Sequence, residues 1–244
     1  MAIAIPTRKI WTRQPQYSSP IDLGNPAMKN LALAWSATRP IVDQSGNNII
    51  TQYGTSFSRI IVPSGIAINS TGDNSTDRYD LGPIPASDPL NGQKGITVIA
   101  LVSINSGALN NIAPRIIDKS NGGGGSGGWY LGLDSSNHLA FQVNGSASAV
   151  LSSSVLPTAT PIIVAASCTQ SGSVLQYLNG TPLATTGTTS AIPSTTTNAS
   201  LLNWPWSTDR QWNGWAQIVL AFGAVLDPKL IASLSANIWQ SFRP

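Results

Sequence analysis

The segment that closes the chain, residues 214–244, limits the fold more than any other part of it. It opens at Gly214 and runs through Trp215, Ile218, Val219, Leu220 and Phe222 without a charge, which is the pattern of a largely buried strand. Asp227 followed by Pro228 marks a helix start. The Asp carboxylate can accept from the first free amides, and Pro is pre-set for the first helical position. Leu230, Ile231, Leu234 and Ile238 then fall on one helical face. A chain that ends this way is expected to lay a short amphipathic helix over the edge of a core sheet, with Trp239 and Phe242 pinning the terminus.

Composition points to strands throughout. Charged residues make up 9% of the 244, against roughly 25% in an average globular protein. All ten acidic residues are Asp, and there is no Glu. Ser and Thr number 31 and 20. Glu and Lys favour helices, whereas Thr and Val favour strands. Low charge does not imply disorder here, because 41% of the chain is hydrophobic.

The net charge of +3 is uneven. Residues 1–40 carry Arg8, Lys9, Arg13, Lys29 and Arg39 against Asp22, and Pro6, Pro15, Pro20 and Pro26 keep the leader extended. An extended N-terminal arm over residues 1–30 is expected, read first as a solvated, mildly basic segment and otherwise as an arm that contacts a neighbouring subunit through Arg8, Lys9, Trp11 and Arg13. Nucleic-acid binding is not expected, since a dense basic patch with interleaved aromatics is missing. No apolar run approaches the roughly 18 residues of a membrane span, and the opening apolar run is too short for a signal peptide. Cys168, alone, reads as a buried thiol of a core strand.

Candidate strands cover 31–35, 49–53, 58–62, 66–68, 96–104, 115–119, 129–133, 138–143, 161–169, 174–178, 182–184 and 201–203. The strongest is 96–104. Residues 134–137 read as a hairpin turn, and Asn179-Gly180 is a tight-turn pair. Residues 69–80 read as a polar Asp-rich loop, and 121–128 as a flexible glycine loop. Strands spaced in this way argue for a sandwich or barrel.

The order of these elements resembles that of the laminin G-like, concanavalin A-type jelly-roll domains found in many tailed-phage proteins. Residues 96–104 resemble the first central strand, Arg115-Ile-Ile-Asp-Lys119 a strand of Ile-Ile-x-Lys type, and Tyr177-Leu-Asn-Gly180 the Tyr-x-Asn-Gly hairpin. Asn213-Gly214 resembles the pair that introduces the last core strand. The tail Asn237-Ile-Trp-Gln-Ser-Phe242 is similar to Asn-Pro-Trp-Gln-Leu-Phe, departing at Ile238 and Ser241. At the other end, Trp11-Thr-Arg-Gln-Pro-Gln16 followed by Asn25-Pro26 resembles the openings of the same proteins. The resemblance implies one all-β, antiparallel β-sandwich jelly roll over residues 31–244, with an extended N-terminal arm and a short C-terminal helix.

Candidate chemistry is sparse. Glycosidases mostly need two facing carboxylates, and the glucanase branch of this superfamily carries a Glu-x-Asp-x-Glu motif that a chain without Glu cannot hold. Asp73, Asp77 and Asp80 read as solvated turn residues. The single histidine, His138, opens a strand beside a turn, without a nucleophile motif. The glycine loop lacks the Lys-Ser/Thr of a phosphate-binding loop. No catalytic residue, metal or cofactor is expected. The best contact candidate is an aromatic loop in which Trp204, Trp206 and Trp212 stand with Asp209 and Arg210, while Trp215 belongs to the core strand. Indoles beside polar groups suit a sugar platform, and equally a protein contact, which the sequence reading places first.

The resemblance therefore leads to the expectation of a non-enzymatic structural component of a tailed-phage virion, built in the host cytoplasm. It would act on the particle surface as capsid decoration or a tail accessory, through contacts with other virion proteins and as a homo-oligomer. A glycan-binding adhesin is the alternative, and a glycan depolymerase stands third.

Overall fold

The computed structural model describes residues 14–15, 19–71, 76–105, 113–120, 127–143, 149–186, 189–194, 196–204, 206 and 210–242. In chain order the strands are β1 Leu31–Ser36, β2 Thr51–Tyr53, β3 Ser58–Val62, β4 Gly65–Thr71, β5 Arg78–Ile84 and β6 Ile96–Ile104. Then come β7 Arg115–Ser120, β8 Gly128–Leu133, β9 His138–Val143, β10 Val150–Val155 and β11 Ile162–Cys168. The last are β12 Val174–Leu178, β13 Thr181–Leu183, β14 Thr185–Thr186, β15 Thr197–Leu201 and β16 Asn213–Phe222, followed by the helix α1, Pro228–Ala236.

These strands form two antiparallel sheets, as the resemblance implies. One runs β13-β12-β11-β6-β16-β4-β3, with β1 also paired to β16; the other runs β14-β10-β9-β8-β7-β15-β5-β2. Between them lies one apolar core. Ile96, Val98, Ala100, Val102 and Ile104 of β6 face inward, against Ile117, Trp129, Leu131 and Phe141 among others. The opposite face of β6 and β16 is also buried. Ile99, Leu101, Ile218, Leu220 and Phe222 pack under Ile231, Leu234, Ile238, Trp239 and Phe242, with Ile21 and Met28 of the leader. Strands covered on both faces need continuous rather than alternating apolar residues, and this is why residues 96–104 are the clearest strand in the sequence.

The helix starts as its residues dictate. Asp227 Oδ1 accepts from Lys229 N at 2.7 Å, and Pro228 stands in the first turn. Trp239 and Phe242 pack as a tilted pair, ring centres 5.9 Å apart at 40°, and the Ile21–Phe242 bridge ties the leader to the tail. Gln14 reaches across to β4, its Nε2 donating to Ile66 O at 2.9 Å. The turn Asn179-Gly180 has φ of 49° and 81°, the pair of positive angles that a two-residue hairpin between β12 and β13 requires.

Two sequence expectations change. Residues 78–84, read partly as loop, form β5, and Asp77 and Asp80 are buried rather than solvated. Asp77 accepts from Ser56 N, and Gly54 packs so tightly on its carboxylate that a Cβ there would collide with it. Asp80 accepts from Gly82 N at 2.8 Å and pairs with Arg78 at 3.4 Å. The serine-rich residues 150–155 form β10, and the strand expected at 201–203 lies earlier, as β15. Asp73 and residues 121–126 of the glycine loop fall outside the described residues.

One buried cation gives the fold a pH signature. Lys119 is fully buried and donates to Thr197 Oγ1 at 2.8 Å. Burial pulls its ammonium down from 10.5 to about 8, partly opposed by Asp88. Between those values the unfolded chain binds more protons than the folded one, so stability rises with pH. Wild type should therefore gain stability relative to Lys119→Met from pH about 8 to about 10.5. Urea midpoints across that window measure it, and a constant offset would show that Lys119 stays charged in the fold.

Candidate functional site

The aromatic loop is fixed by buried amides at its base. Asn203 is fully buried, accepting from Trp204 N at 2.7 Å and donating to Asp77 O at 3.0 Å. Gln211, also fully buried, reaches Ser56 Oγ at 3.3 Å. Arg115 N donates to Arg210 O, and Trp212 N to Leu202 O, both at 2.9 Å. The described ends of the connection from β15 to β16 are thus held, one to Asp77 and the other to Ser56 and Arg115.

This frame separates the indoles that the sequence grouped. Trp212 is fully buried in the sandwich core, its Nε1 donating to Ser103 O at 3.2 Å, so it cannot belong to a surface platform. Trp204 is half-buried, with the Arg210 guanidinium 5.9 Å from its ring centre. Its Nε1 is buried without a hydrogen-bond partner among the described residues. Trp206 alone of the three projects, at 55% exposure. Asp209 lies outside the described residues, as do Arg8, Lys9, Trp11 and Arg13 of the arm.

Beside this loop the structure opens a cleft that sequence reasoning missed. Its volume is about 480 Å³, and it lies where both sheets end, at the free strands β3 and β2. Half-buried Phe57 forms its aromatic floor, stacked at 5.0 Å and 8° on the fully buried Tyr79. Pro40, Ile41 and Val42 make one wall, while Arg39, Gln52 and Arg59 supply the polar lining. The link to the aromatic loop is short. Gln211 bonds Ser56, the residue before Phe57, and Asn203 bonds Asp77, two residues before Tyr79. The signal in the sequence was the alternation of 57–61, which sets Phe57, Arg59 and Ile61 on one side; β5 behind them was hidden by its Asp, Gly and Pro.

Titratable groups elsewhere serve the scaffold. His138 Nδ1 lies 3.0 Å from Asp134 Oδ2, while Asp134 Oδ1 accepts the His138 amide and so closes the hairpin turn. Cys168 is buried and its thiol is pushed up to about 12, the reverse of an activated nucleophile. Asp118 is fully buried against Arg115 Nε at 3.0 Å, and the Arg115 guanidinium lies over the Tyr130 ring. Among the described residues no group of three or more His, Cys or Asp side chains could hold a metal.

With this geometry in view, the comparisons fit. Residues 73–232 match the laminin G-like model of the concanavalin A-like lectin/glucanases superfamily, well over half of the chain, and the chain belongs to that family. No curated protein sequence matches it. Among solved structures it is similar to the botulinum neurotoxin serotype D/C binding domain, at 17% identity and a TM-score of 0.64, covering 86% of this chain and 52% of that one. The botulinum neurotoxin DC binding domain in complex with SialylT gives 18% and 0.62, with the same coverage. A Trypanosoma rangeli sialidase in complex with 2,3-difluorosialic acid gives 15% and 0.59, covering 85% of this chain and 32% of that one. The chain thus spans about half the toxin binding domains and about a third of the sialidase, and these likenesses concern the fold.

The two outer indoles and the inner one should separate on substitution. Trp212→Ala should cost about 3–5 kcal/mol, as removal of a core indole does, whereas Trp206→Ala should stay within about 0.5 kcal/mol of wild type. Denaturant unfolding of both variants reads the difference directly.

Proposed function

We propose that this chain is a non-catalytic, glycan-binding surface module of a tailed-phage particle. The observation that carries the binding reading is the cleft: an aromatic floor, a polar lining of Arg and Gln, and the exposed Trp206 on the adjoining loop. The Phe57 ring, backed by Tyr79, offers a flat apolar surface to the CH face of a sugar, and side-chain donors at the border meet its hydroxyls. The botulinum neurotoxin DC binding domain in complex with SialylT shares the fold, which agrees with this use of it without assigning it.

The non-catalytic part rests on the chemistry of the lining. Among the described residues no carboxylate borders the cleft, whereas cleavage of a glycosidic bond mostly needs two. Some sialidases use a Tyr nucleophile instead, but burial pushes the Tyr79 hydroxyl up to about 12, away from the phenolate such a role needs. The phage context rests on the resemblance of residues 11–16 and 237–242 to the ends of phage laminin G-like proteins. Contacts with other virion proteins through the arm, as capsid decoration or tail accessory, belong to the same proposal.

Two measurements test it. On a glycan array the wild type should bind, and Phe57→Leu and Trp206→Ala, checked by thermal melts for folding, should bind more weakly. Silence of the wild type on a broad array would remove the binding reading. Antibody against the domain should label purified particles of the encoding phage, and its absence from particle protein would remove the virion reading.

A further inference from the structure

The charges of the cleft define its ligand further. Arg39 is held by its own backbone, which donates to Ser36 O and accepts from Val42 N, both at 3.1 Å. Arg59 stands at an exposed position of the edge strand β3. Both line the same cleft, and among the described residues no Asp lines it with them. Other described arginines are engaged differently. Arg78 pairs with Asp80 and covers the Tyr53 ring at 4.4 Å, Arg115 pairs with Asp118, and Arg210 faces Trp204. Neither Arg39 nor Arg59 has an ion pair or ring contact among the described residues. In a chain with only 13 Lys and Arg, two uncompensated guanidinium groups converge on one concave apolar surface.

Two like charges beside a low-dielectric wall repel each other and concentrate a positive field in the cleft. An anion relieves that repulsion. The guanidinium fork matches a planar carboxylate or a tetrahedral oxyanion through paired N–H donors. A neutral sugar would use the Phe57 ring and leave both charges unanswered. An acidic sugar uses both, its ring on the aromatic floor and its anion on the arginines. Resting on the glycan-binding reading above, we infer that the cleft selects a sugar carrying an anionic substituent, a ring carboxylate or a sulfate, which Arg39 and Arg59 hold over the Phe57 ring.

The test uses matched pairs of probes. Oligogalacturonides, hyaluronan and polysialic acid are each measured by calorimetry beside their carboxyl-reduced, neutral forms, and dextran sulfate beside dextran. At least one charged member should bind, with its neutral partner weaker by roughly tenfold or more, the scale of a charged hydrogen bond. That affinity should fall with added salt. Arg39→Gln and Arg59→Gln should each weaken it by roughly tenfold. Lys94→Gln, outside the cleft, should leave it unchanged, and thermal melts of all three variants should match wild type. Selective binding of a carboxylate probe assigns the anion as carboxylate; selective binding of dextran sulfate alone assigns it as sulfate. Charged binding that survives both arginine substitutions overturns the inference. Equal binding of charged and neutral partners overturns it while leaving the glycan reading in place. Absence of binding to every probe and every array glycan removes both.

Discussion

The fold depends on one irregularity in β16. This strand pairs with β6 along its whole length, yet its other edge serves two partners in turn, β4 over residues 213–216 and β1 over 218–222. The handover falls at Gln217, which has no partner in β6 because the register shifts between Ala216 and Ile218. A bulge of this kind adds one residue to a strand and bends it. Gln217 is fully buried, and each of its groups finds a partner. Its carbonyl accepts from Ala37 N at 2.8 Å, its Nε2 donates to Ile66 O at 3.0 Å, and its Oε1 accepts from the Ser64 hydroxyl. An unmade bond here would cost on the order of 1–3 kcal/mol, so satisfaction of this one side chain is what lets a single strand close two partners.

The consequence reaches the far edge of both sheets. Because β4 can join β16 only up to Ala216, the β3–β4 hairpin extends beyond the core as the last pair of its sheet, while β2 ends the sheet opposite. Both terminal strands carry exposed side chains, among them Tyr53 and Ile61, the latter 91% exposed. The cleft forms between these two edges. On the opposite side, the outer face of β6 and β16 is filled by α1, the tail and the leader residues Ile21 and Met28. Cover on that face and open edges beyond β4 have one origin, the division of β16 at Gln217.

Much of this was legible in the sequence, and the failures have physical causes. Strands 58–62, 96–104, 138–143 and 174–178 were bounded as observed because their apolar residues are unbroken or alternate cleanly. The helix start at Asp227 was legible because capping is local chemistry, decided within three residues. β5 was hidden because Asp80, Gly82 and Pro83 are poor strand residues; its register shift opposite β15 accommodates them. β10 was hidden because its serines face a sheet edge that only tertiary pairing defines, and the Ser152 hydroxyl accepts the Leu139 amide. The indoles of 204–212 range from about half exposed to fully buried, but the described ends of the loop are set by Asn203 and Gln211 bonding to residues 126 and 155 positions away. No local pattern encodes that, and the cleft, assembled from residues 39 to 79, was equally unreadable one strand at a time.

Charge is used asymmetrically across the molecule. Described carboxylates turn inward to the backbone. Asp43 accepts from Ala34 N and Asn48 N, both at 2.9 Å, Asp88 accepts from Leu90 N, and Asp77, Asp80, Asp134 and Asp227 each hold a turn or a helix end. Short Asp side chains suit this work, since they reach amides two residues on where Glu would overshoot. The absence of Glu is then consistent with a chain whose acids serve turns rather than surfaces. Arg78 and Arg115 find carboxylates two and three residues on, whereas Arg39 and Arg59 have no ion pair among the described residues. Both line the cleft with their charges unpaired. A net charge of only +3 therefore conceals a locally positive concavity, and that concavity, more than the aromatic loop, is the part of this surface with a defined chemical preference.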